Sequence, residues 1–331
     1  MVSIKDIAKK CNVSAATVSK ALNDQKDISD ATKKRIKKVA QQMGYATNIA
    51  ARALKTNKTY NIGVLFADSR SGLTHEYFSL ILGSFQKEIE SKGYDLTFIN
   101  NTVAGRKTTY LNHTKYRSFD GVIIMTADFE SEEIKELISS NIPVVTIDYM
   151  CNECASVLSD NSKGLEELVK YAYSMGHKKI AYIHGEYTDV TKDRLSSFNR
   201  ACKELNLDIP SSYVIESLYH DIATCSKKTE ELLKLKDRPT CIIFSDDYSL
   251  LGGRDTIINS GLSIPNDISI IGYDGINMAK IFNLTTYEQD TETIGIKAAE
   301  KLLQLIEKPD SKPEHVIVSG KLIKGNTVKK I

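Results

Sequence analysis

Residues 3–23 read SIKDIAKKCNVSAATVSKALN, and their spacing decides the fold of the N-terminal region. Ser3 is a typical helix N-cap, and Asp6 follows three residues later in the manner of a capping box. Ser14 is placed to cap a second helix after a short turn. Apolar residues follow each cap at helical spacing, which predicts one buried face per helix. Two helices joined by so short a turn form the helix-turn-helix pattern.

A third helix is predicted at residues 29–44, which read SDATKKRIKKVAQQMG. Ser29 is its expected N-cap and Gly44 its left-handed stop. When the three apolar faces pack together, the second helix keeps small and polar side chains toward solvent. In this motif the N-terminal residues of the second helix enter the major groove of DNA. The side chains placed to do so are Ala15, Ala16, Thr17, Ser19 and Lys20. A three-helix domain with an ordinary polar surface is the alternative.

The distribution of charge separates the N-terminal region from the rest of the chain. Residues 1–60 hold eleven Lys and two Arg against four Asp and no Glu, a net charge of +9. Since the whole chain carries +2, the remaining residues carry −7. A basic segment attached to an acidic body indicates a polyanionic partner for that segment alone. Double-stranded DNA is the partner that agrees with the helix-turn-helix pattern.

Beyond residue 60 the chain alternates buried strands with helices. IGVLFAD at 62–68, TCIIFSD at 240–246 and ISIIGYD at 268–274 are typical of strands covered on both faces. Two such series predict an α/β body of two doubly wound parallel-sheet lobes behind the small all-α domain. The start MVSIKDIAKK lacks a signal-peptide apolar region, so we expect the cytoplasm. No run of 18 apolar residues predicts a membrane span.

Polar side chains stand at the ends of four predicted strands: Asp68, Asp148, Asp246 and Asp274. A single Asp in this position is usually a turn former or a helix cap. Four of them weaken that interpretation, because the carboxyl ends of parallel strands meet at one edge, where ligands bind.

Motifs for catalysis are missing from the sequence. Neither GxSxG nor GxxxxGK[ST] occurs, so no catalytic residue is assigned and the chain is not predicted to be an enzyme. Cys151 and Cys154 form a CxxC pair with no second pair or His pair nearby. The other cysteines are scattered, so neither a metal site nor a cofactor is predicted.

The run at 3–23, together with DISDATKKRIKKVAQQMGY at 27–45 and NIAARAL at 48–54, resembles the LacI/GalR repressors. The resemblance continues to the C-terminus. It implies a sequence-specific transcription regulator, expected to be a repressor, that binds a pseudo-palindromic operator as a homodimer. It also implies control by a small-molecule effector bound in a periplasmic-binding-protein-like body. A cytoplasmic sugar-binding protein or an α/β enzyme that does not act on DNA is the alternative.

Carried onto this chain, the family pattern assigns base reading to Ala15, Ala16 and Lys20. Phosphate or positioning roles fall on Ser3, Ser14, Thr17, Ser19, Asn23, Ser29, Thr32 and Tyr45. The pattern makes residues 46–60 a hinge helix and linker that folds on DNA, where Leu54 wedges between base pairs and kinks the duplex. Asn48, Ala51 and Arg52 complete the predicted hinge contacts. From the residues alone, an ordinary interdomain linker is the simpler interpretation, because so short a helix is unstable in water.

The family pattern also divides the chain into domains joined by crossing segments, with the effector bound between two lobes. The predicted divisions are a DNA-binding domain at 1–45, a hinge at 46–60, and an effector-binding and dimerisation domain at 61–331, with lobe 1 at about 61–159 and 290–319 and lobe 2 at about 160–289 and 320–331.

Effector contacts are implied for Asp148, Arg194, Asp246, Asp274 and Gln289. Asp68 is a further strand-end candidate, and from lobe 1 the resemblance suggests His75, Tyr77 and Phe78, while Tyr219 is a candidate for ring stacking. Asp247 is expected to be structural and to cap the next helix. An Arg donor fork and a carboxylate together suit adjacent hydroxyls, so Arg194 and Asp274 indicate a sugar effector. An Arg194 that lies on the surface and pairs with a Glu is the alternative.

Overall fold

A computed structural model describes residues 2–45, 58–67, 72–103 and 105–331. The chain divides into two compact units, Met1–Thr59 and Tyr60–Ile331. Within residues 2–45 and 58–59, the described part of the first unit, there are three helices: α1 (Ile4–Cys11), α2 (Ala15–Leu22) and α3 (Asp30–Gln42).

The three predicted N-caps of the first unit are confirmed. Ser3 and Asp6 form the reciprocal capping box, in which the Ser3 backbone N–H donates to Asp6 Oδ2 at 2.9 Å. Ser14 and Ser29 each accept a hydrogen bond from the backbone N–H three residues later. Each cap satisfies a donor that the helix start leaves without a partner, which fixes where the helix begins. The helices bury a shared core of Ile7, Ala8, Cys11, Val18, Ala21, Ile36 and Ala40.

The second unit contains two six-stranded sheets, and helices alternate with the strands along the chain. Its first half contains β1 (Asn61–Phe66), α4 (Glu76–Ser91), β2 (Asp95–Ile99), the ribbon β3 (Thr102–Val103) and β4 (Arg106–Lys107), α5 (Tyr110–Arg117), β5 (Gly121–Thr126), α6 (Glu132–Ile138), β6 (Val144–Ile147) and β7 (Ala155–Ser159).

Its second half contains α7 (Asn161–Ser174), β8 (Ile180–His184), α8 (Asp189–Glu204), β9 (Val214–Glu216), α9 (Ile222–Leu233), β10 (Cys241–Phe244), α10 (Asp247–Asn259), β11 (Ser269–Asp274), α11 (Asn277–Ile281), β12 (Thr286–Glu288), α12 (Thr291–Glu307), β13 (His315–Val318) and β14 (Lys321–Ile323).

The first sheet has the strand order β13-β7-β6-β5-β1-β2 and is parallel throughout. Successive side chains along a strand point to opposite faces of the sheet, so they pack into two different hydrophobic cores. Ile62 and Val64 pack with α4 and α12, whereas Leu65 packs with α5 and α6. Helices therefore cover both faces of this sheet, as a doubly wound lobe requires.

The second sheet has the order β14-β12-β11-β10-β8-β9. Its strands are parallel except at one edge, where β14 runs antiparallel to β12. One face packs against α7 and α8, and the other packs against α9 and α10. The chain passes between the sheets three times, after β7, after β12 and between β13 and β14. These crossings bring the carboxyl ends of both sheets toward one region.

Across the residues that the structure describes, no helix combines the length and apolar character needed to cross a bilayer. The same residues contain no group of three His, Cys, Asp or Glu side chains arranged to hold a metal ion.

Candidate functional site

The residues of α2 that were predicted to meet DNA differ in exposure. Ala16 is exposed, Ala15 packs against the helix-turn-helix core, and the partly exposed residues are Thr17, Ser19 and Lys20. Val18 and Ala21 are fully buried, so Ala16 lies exposed on the other side of the helix. Lys20 Nζ lies 2.5 Å from Asp27 Oδ2, and both side chains are about half exposed, at 45% and 51%. The hydrogen bond from Lys20 lowers the pKa of Asp27. Because such surface pairs contribute little to stability, Lys20 can leave Asp27 for a nucleic-acid acceptor at low cost.

Hydroxyl pairs mark the starts of α2 and α3. Ser14 Oγ lies 2.8 Å from Thr17 Oγ1, and Ser29 Oγ lies 2.9 Å from Thr32 Oγ1. Helix N-termini attract anions because their N–H groups point outward with a partial positive charge. Both starts are therefore chemically suited to phosphate.

Two other predicted DNA-contact residues, Asn23 and Tyr45, already have capping or packing roles in the first unit. Asn23 Nδ2 donates to the Ser19 carbonyl at 2.6 Å and closes the end of α2. Tyr45 is half-buried against the helix-turn-helix core. The hinge residues Asn48, Ala51, Arg52 and Leu54, and the cleft candidate Asp68, lie outside the described residues.

A cavity of about 690 Å³ lies where the carboxyl ends of the two sheets meet. It brings together eight of the predicted effector residues from distant parts of the sequence: His75, Tyr77, Phe78, Asp148, Arg194, Tyr219, Asp274 and Gln289. A concave site of this size with a few convergent polar groups is typical of small-molecule binding.

Arg194 projects from α8 and is only 4% exposed, so the surface ion pair considered from the sequence is wrong. Its Nε donates to Asn161 Oδ1 at 2.8 Å, and Nη1 donates to the Ser245 carbonyl at 2.9 Å. The guanidinium carbon lies 3.7 Å from the centre of the Tyr273 ring. These contacts hold the fork rigidly and leave Nη2 with no hydrogen-bond partner among the described residues.

Asp274 ends β11 and is paired with Gln289, whose Nε2 donates to Asp274 Oδ1 at 2.7 Å. Burial raises the pKa of Asp274 well above its usual value, although the Arg194 charge opposes that shift. Gln289 Oε1 is buried and has no partner in the part of the chain that the structure describes. The pair thus presents Asp274 Oδ2 and Gln289 Oε1 as acceptors for a bound molecule.

Asp148 follows β6 in a left-handed conformation, with φ of 52°. Its Oδ1 accepts from the Ser159 backbone N–H at 2.7 Å, and its Oδ2 accepts from Tyr77 Oη at 2.6 Å. Burial raises the pKa of Tyr77 well above its usual value, so the phenol stays a neutral donor. Asp148 therefore connects α4, through Tyr77, to the end of β7, through Ser159, and it also lines the cavity.

Aromatic rings form two groups in or beside the cavity. His75 stacks on His220 at 4.5 Å between centroids, and His220 stacks on Tyr248 at 3.9 Å. Phe129 and Tyr149 form a separate parallel stack at 3.7 Å. His220, Phe129 and Tyr149 line the cavity but were not predicted, since each follows a strand without a recognisable motif.

The expectation for Asp246 needs correction. This side chain does not line the cavity. It is the N-cap of α10: Oδ1 accepts from the Ser249 backbone N–H at 2.7 Å, and Oδ2 accepts from Ser245 Oγ at 2.8 Å and from the His220 backbone N–H at 3.2 Å. Since both oxygens are engaged in capping and loop closure, Asp246 supports the cavity wall from behind.

Asp247 is structural, as expected, but it is not the cap. It is the first residue of α10, and its Oδ2 accepts from the Gly275 and Ile276 backbone N–H groups at 2.7 and 3.2 Å. This carboxylate fixes the turn that follows Asp274. Burial raises its pKa to about 8.

We expect the raised pKa of Asp247 to make stability depend on pH. In the unfolded chain this carboxyl titrates near 3.8, whereas in the folded protein it titrates near 8. Its favourable contribution is therefore complete below about pH 4 and is lost as pH rises toward 8. Asp247→Asn keeps an acceptor for Gly275 and removes the titration. Urea unfolding of both proteins from pH 5 to 9 should show the wild type losing stability relative to the variant. Parallel pH profiles would contradict this assignment.

A disulfide joins Cys151 and Cys154, a pair for which the sequence indicated no role. Both cysteines are buried beside Phe129 and Tyr149. The Cys151 backbone N–H donates to Ser156 Oγ at 3.1 Å. The cross-link therefore lies in the loop that carries Asp148 and Tyr149 into the cavity.

A helix-turn-helix unit followed by a two-sheet body with a ligand-sized cavity defines a ligand-responsive regulator of transcription. Comparison with known proteins agrees with that class. Residues 3–48 match the family model described as bacterial regulatory proteins, lacI family, and residues 169–328 match a periplasmic binding protein-like domain. The chain belongs to the LacI family.

Several relatives match over the full length of this chain. A Bacillus subtilis (strain 168) protein described as "Probable HTH-type transcriptional repressor ExuR" is 31% identical, with 99% of its length covered. The HTH-type transcriptional repressor PurR of Vibrio vulnificus (strain CMCP6) is 30% identical, with 100% of its length covered. Among solved structures, the Lac repressor dimer bound to operator and the anti-inducer ONPF has a TM-score of 0.82. At 22% identity, with 99% of each chain covered, it shows the same fold.

Proposed function

We propose that this protein binds a pseudo-palindromic operator as a homodimer and represses transcription under the control of a small effector. The observation that carries the DNA-binding part is the exposed face of α2. Small side chains there let the helix approach base edges. Lys20 lies on the same face, and its surface ion pair with Asp27 contributes little to stability, so Lys20 can exchange Asp27 for a DNA acceptor. The net charge of +9 over residues 1–60 favours a polyanion.

Two copies are needed because one recognition helix reads only half of a palindrome. A dimer places two such helices about one helical turn apart on the DNA. We assign the reading function to residues 1–45, the hinge to 46–60 and pairing to the body at 61–331. The cytoplasm, where operator DNA is accessible, is the expected location, and the protein acts by binding and not as an enzyme.

The chemistry of the cavity favours a neutral polyol as effector. Arg194 Nη2 offers a donor, and Asp274 Oδ2 and Gln289 Oε1 offer acceptors, a combination that hydroxyl groups satisfy in both directions. Arg194 is the only Arg or Lys among the described lining residues. The carboxylates that line the cavity are Asp128, Glu130, Asp148, Glu186, Asp189, Asp221 and Asp274. An anionic ligand would be repelled by this set, so a neutral sugar is the best match.

Control of DNA binding follows from the position of the cavity between the sheets. A ligand that contacts both sides stabilises one relative arrangement of the lobes over another. If that arrangement sets the spacing of the two hinges in the dimer, it changes whether they pair on the operator. The effector then acts by differential affinity for the two states, and operator and effector must affect each other reciprocally.

Selection of binding sites from a random DNA duplex pool tests the DNA-binding proposal. The full chain should enrich a sequence with two inverted half-sites, and binding to it should weaken steeply as salt rises. Enrichment of no sequence, or of a single half-site bound by a monomer, would contradict the proposal.

The hinge assignment makes a separate prediction for Leu54. In Leu54→Ala, the side chain proposed to enter the minor groove is truncated, which removes roughly 1.5–3 kcal/mol of apolar burial. Operator affinity should fall about 10- to 100-fold in fluorescence anisotropy, while saccharide affinity in titration calorimetry stays the same. An operator affinity equal to that of the wild type would show that Leu54 is not a wedge.

A further inference from the structure

The effector cavity extends over both faces of the first sheet. Tyr77 and Phe78 belong to the core between that sheet and α4 and α12. Phe129 and Tyr149 pack against the opposite core, with α5 and α6. Since all four side chains line one cavity, that cavity passes over the carboxyl edge of the sheet from one face to the other. Its volume of about 690 Å³ is larger than a single pyranose ring needs.

At one end of the cavity, side chains from its two sides contact each other. The His75–His220 stack joins the segment before α4 to the segment before α9, and Tyr248 extends the stack from behind. The Glu76 side chain adds a second connection at this end, because its Oε1 accepts from the Asn277 backbone N–H at 3.0 Å. A ligand held at Arg194 and Asp274 has to displace these contacts to extend past the histidine stack.

The other end presents an aromatic platform. The Phe129 and Tyr149 rings are parallel, with an interplanar angle of 0°, and both are only half-buried. Across the cavity stand Tyr187, which is 68% exposed, and Asp189, at the start of α8. Tyr149 follows β6 in the first half of the unit, whereas Tyr187 and Asp189 belong to the second half, and all three side chains line the same cavity.

We propose that the effector is a saccharide of at least two rings. The first ring lies at Arg194, Asp274 and Gln289, and the second lies between the Tyr149 ring and Tyr187. The C–H face of a pyranose packs on an aromatic ring, while the edge of Tyr provides a hydroxyl for polar contact. Mouth carboxylates such as Asp189 accept from the remaining hydroxyls of the second ring. This inference rests on the proposed sugar-responsive function and adds the length of the ligand.

Titration calorimetry of the full chain with matched saccharides tests the proposal. The pairs are glucose with cellobiose and with maltose, galactose with lactose, and xylose with xylobiose. At least one disaccharide should bind 10-fold or more tightly than its own monosaccharide. Tyr187→Ala should weaken that disaccharide about 3- to 10-fold and leave the monosaccharide unchanged.

Three further variants separate contact from folding. Tyr116, which is 69% exposed and lies outside the cavity, gives the matched control Tyr116→Ala, which should change neither affinity. Tyr149→Phe keeps the platform ring and should retain most of the disaccharide preference, whereas Tyr149→Ala should remove it.

Three results would overturn the proposal. A monosaccharide that binds as tightly as all of its disaccharides would show that the second ring makes no contact. A disaccharide whose affinity survives both Tyr187→Ala and Tyr149→Ala would place that ring elsewhere. Binding of neither size of saccharide would refute the sugar class itself, and with it this inference, while leaving operator binding to be judged by site selection.

Discussion

Replacing Asp274 by Asn is expected to remove the effector response and to leave DNA binding by the ligand-free protein intact. In the wild type, Gln289 Nε2 donates to one carboxylate oxygen and leaves the other for ligand hydroxyls. In Asp274→Asn the amide oxygen must face Gln289, so the amide NH₂ group faces the ligand. The ligand hydroxyls thereby lose their carboxylate acceptor, and a charged hydrogen bond worth about 1.5–3 kcal/mol is lost. Saccharide affinity should fall roughly 10- to 150-fold.

The same substitution should not weaken the fold. Burial raises the pKa of Asp274 well above its usual value, so the ionised carboxylate is less favourable in the folded protein than in the unfolded chain. Removing that charge should leave the thermal unfolding midpoint at pH 8 equal to or above that of the wild type. A variant that binds saccharide normally would show that Asp274 is not a ligand contact. A variant that unfolds early would show that its main role is structural.

Placing a negative charge on the recognition helix is expected to abolish operator binding. Ala16 is exposed near the start of α2, where Glu does not disturb packing and interacts favourably with the helix dipole. On DNA the same Glu would face phosphates and base acceptors, and like charges brought together in an interface cost several kcal/mol. Ala16→Glu should therefore lower operator affinity by about 100-fold or more, while calorimetry shows unchanged saccharide binding.

Gln42→Glu is the matched control for Ala16→Glu. Gln42 is the last residue of α3 and is exposed, and the substitution changes the net charge of the unit by the same amount. Operator affinity should change only slightly, because salt screens the interaction between one distant surface charge and the DNA. Equal losses in both variants would mean that only net charge matters and that α2 does not enter the groove.

The helix-turn-helix unit could be predicted from sequence because its signals are local. Ser3, Ser14 and Ser29 each stand directly before an apolar period, and each proves to be an N-cap. By contrast, the sequence of α5 has no helical pattern of apolar residues that would predict it, because polar His113 and Thr114 form part of its buried face. Helix α12 carries Ala298 and Leu302 at helical spacing, a signal from which it could have been predicted.

The cavity was only partly predictable, because side chains there come from segments far apart in the sequence. Strand ends and family resemblance located Asp148, Arg194 and Asp274. Local sequence could not decide which of the adjacent Asp246 and Asp247 caps α10, because that depends on how the chain leaves β10. The Phe129–Tyr149 stack forms because β5 and β6, the strands that these residues follow, are neighbours in the sheet. That pairing belongs to the tertiary structure and cannot be read from local sequence.

The central claim is that one chain couples saccharide binding to operator binding. The most direct measurement is the dissociation constant of the full chain for a labelled, selected operator duplex, with and without saturating saccharide in the same buffer. We predict a change of about 5- to 150-fold, and a much smaller change in Asp274→Asn at the same saccharide concentration. An operator affinity that stays constant while calorimetry shows the wild-type cavity fully occupied would contradict the account.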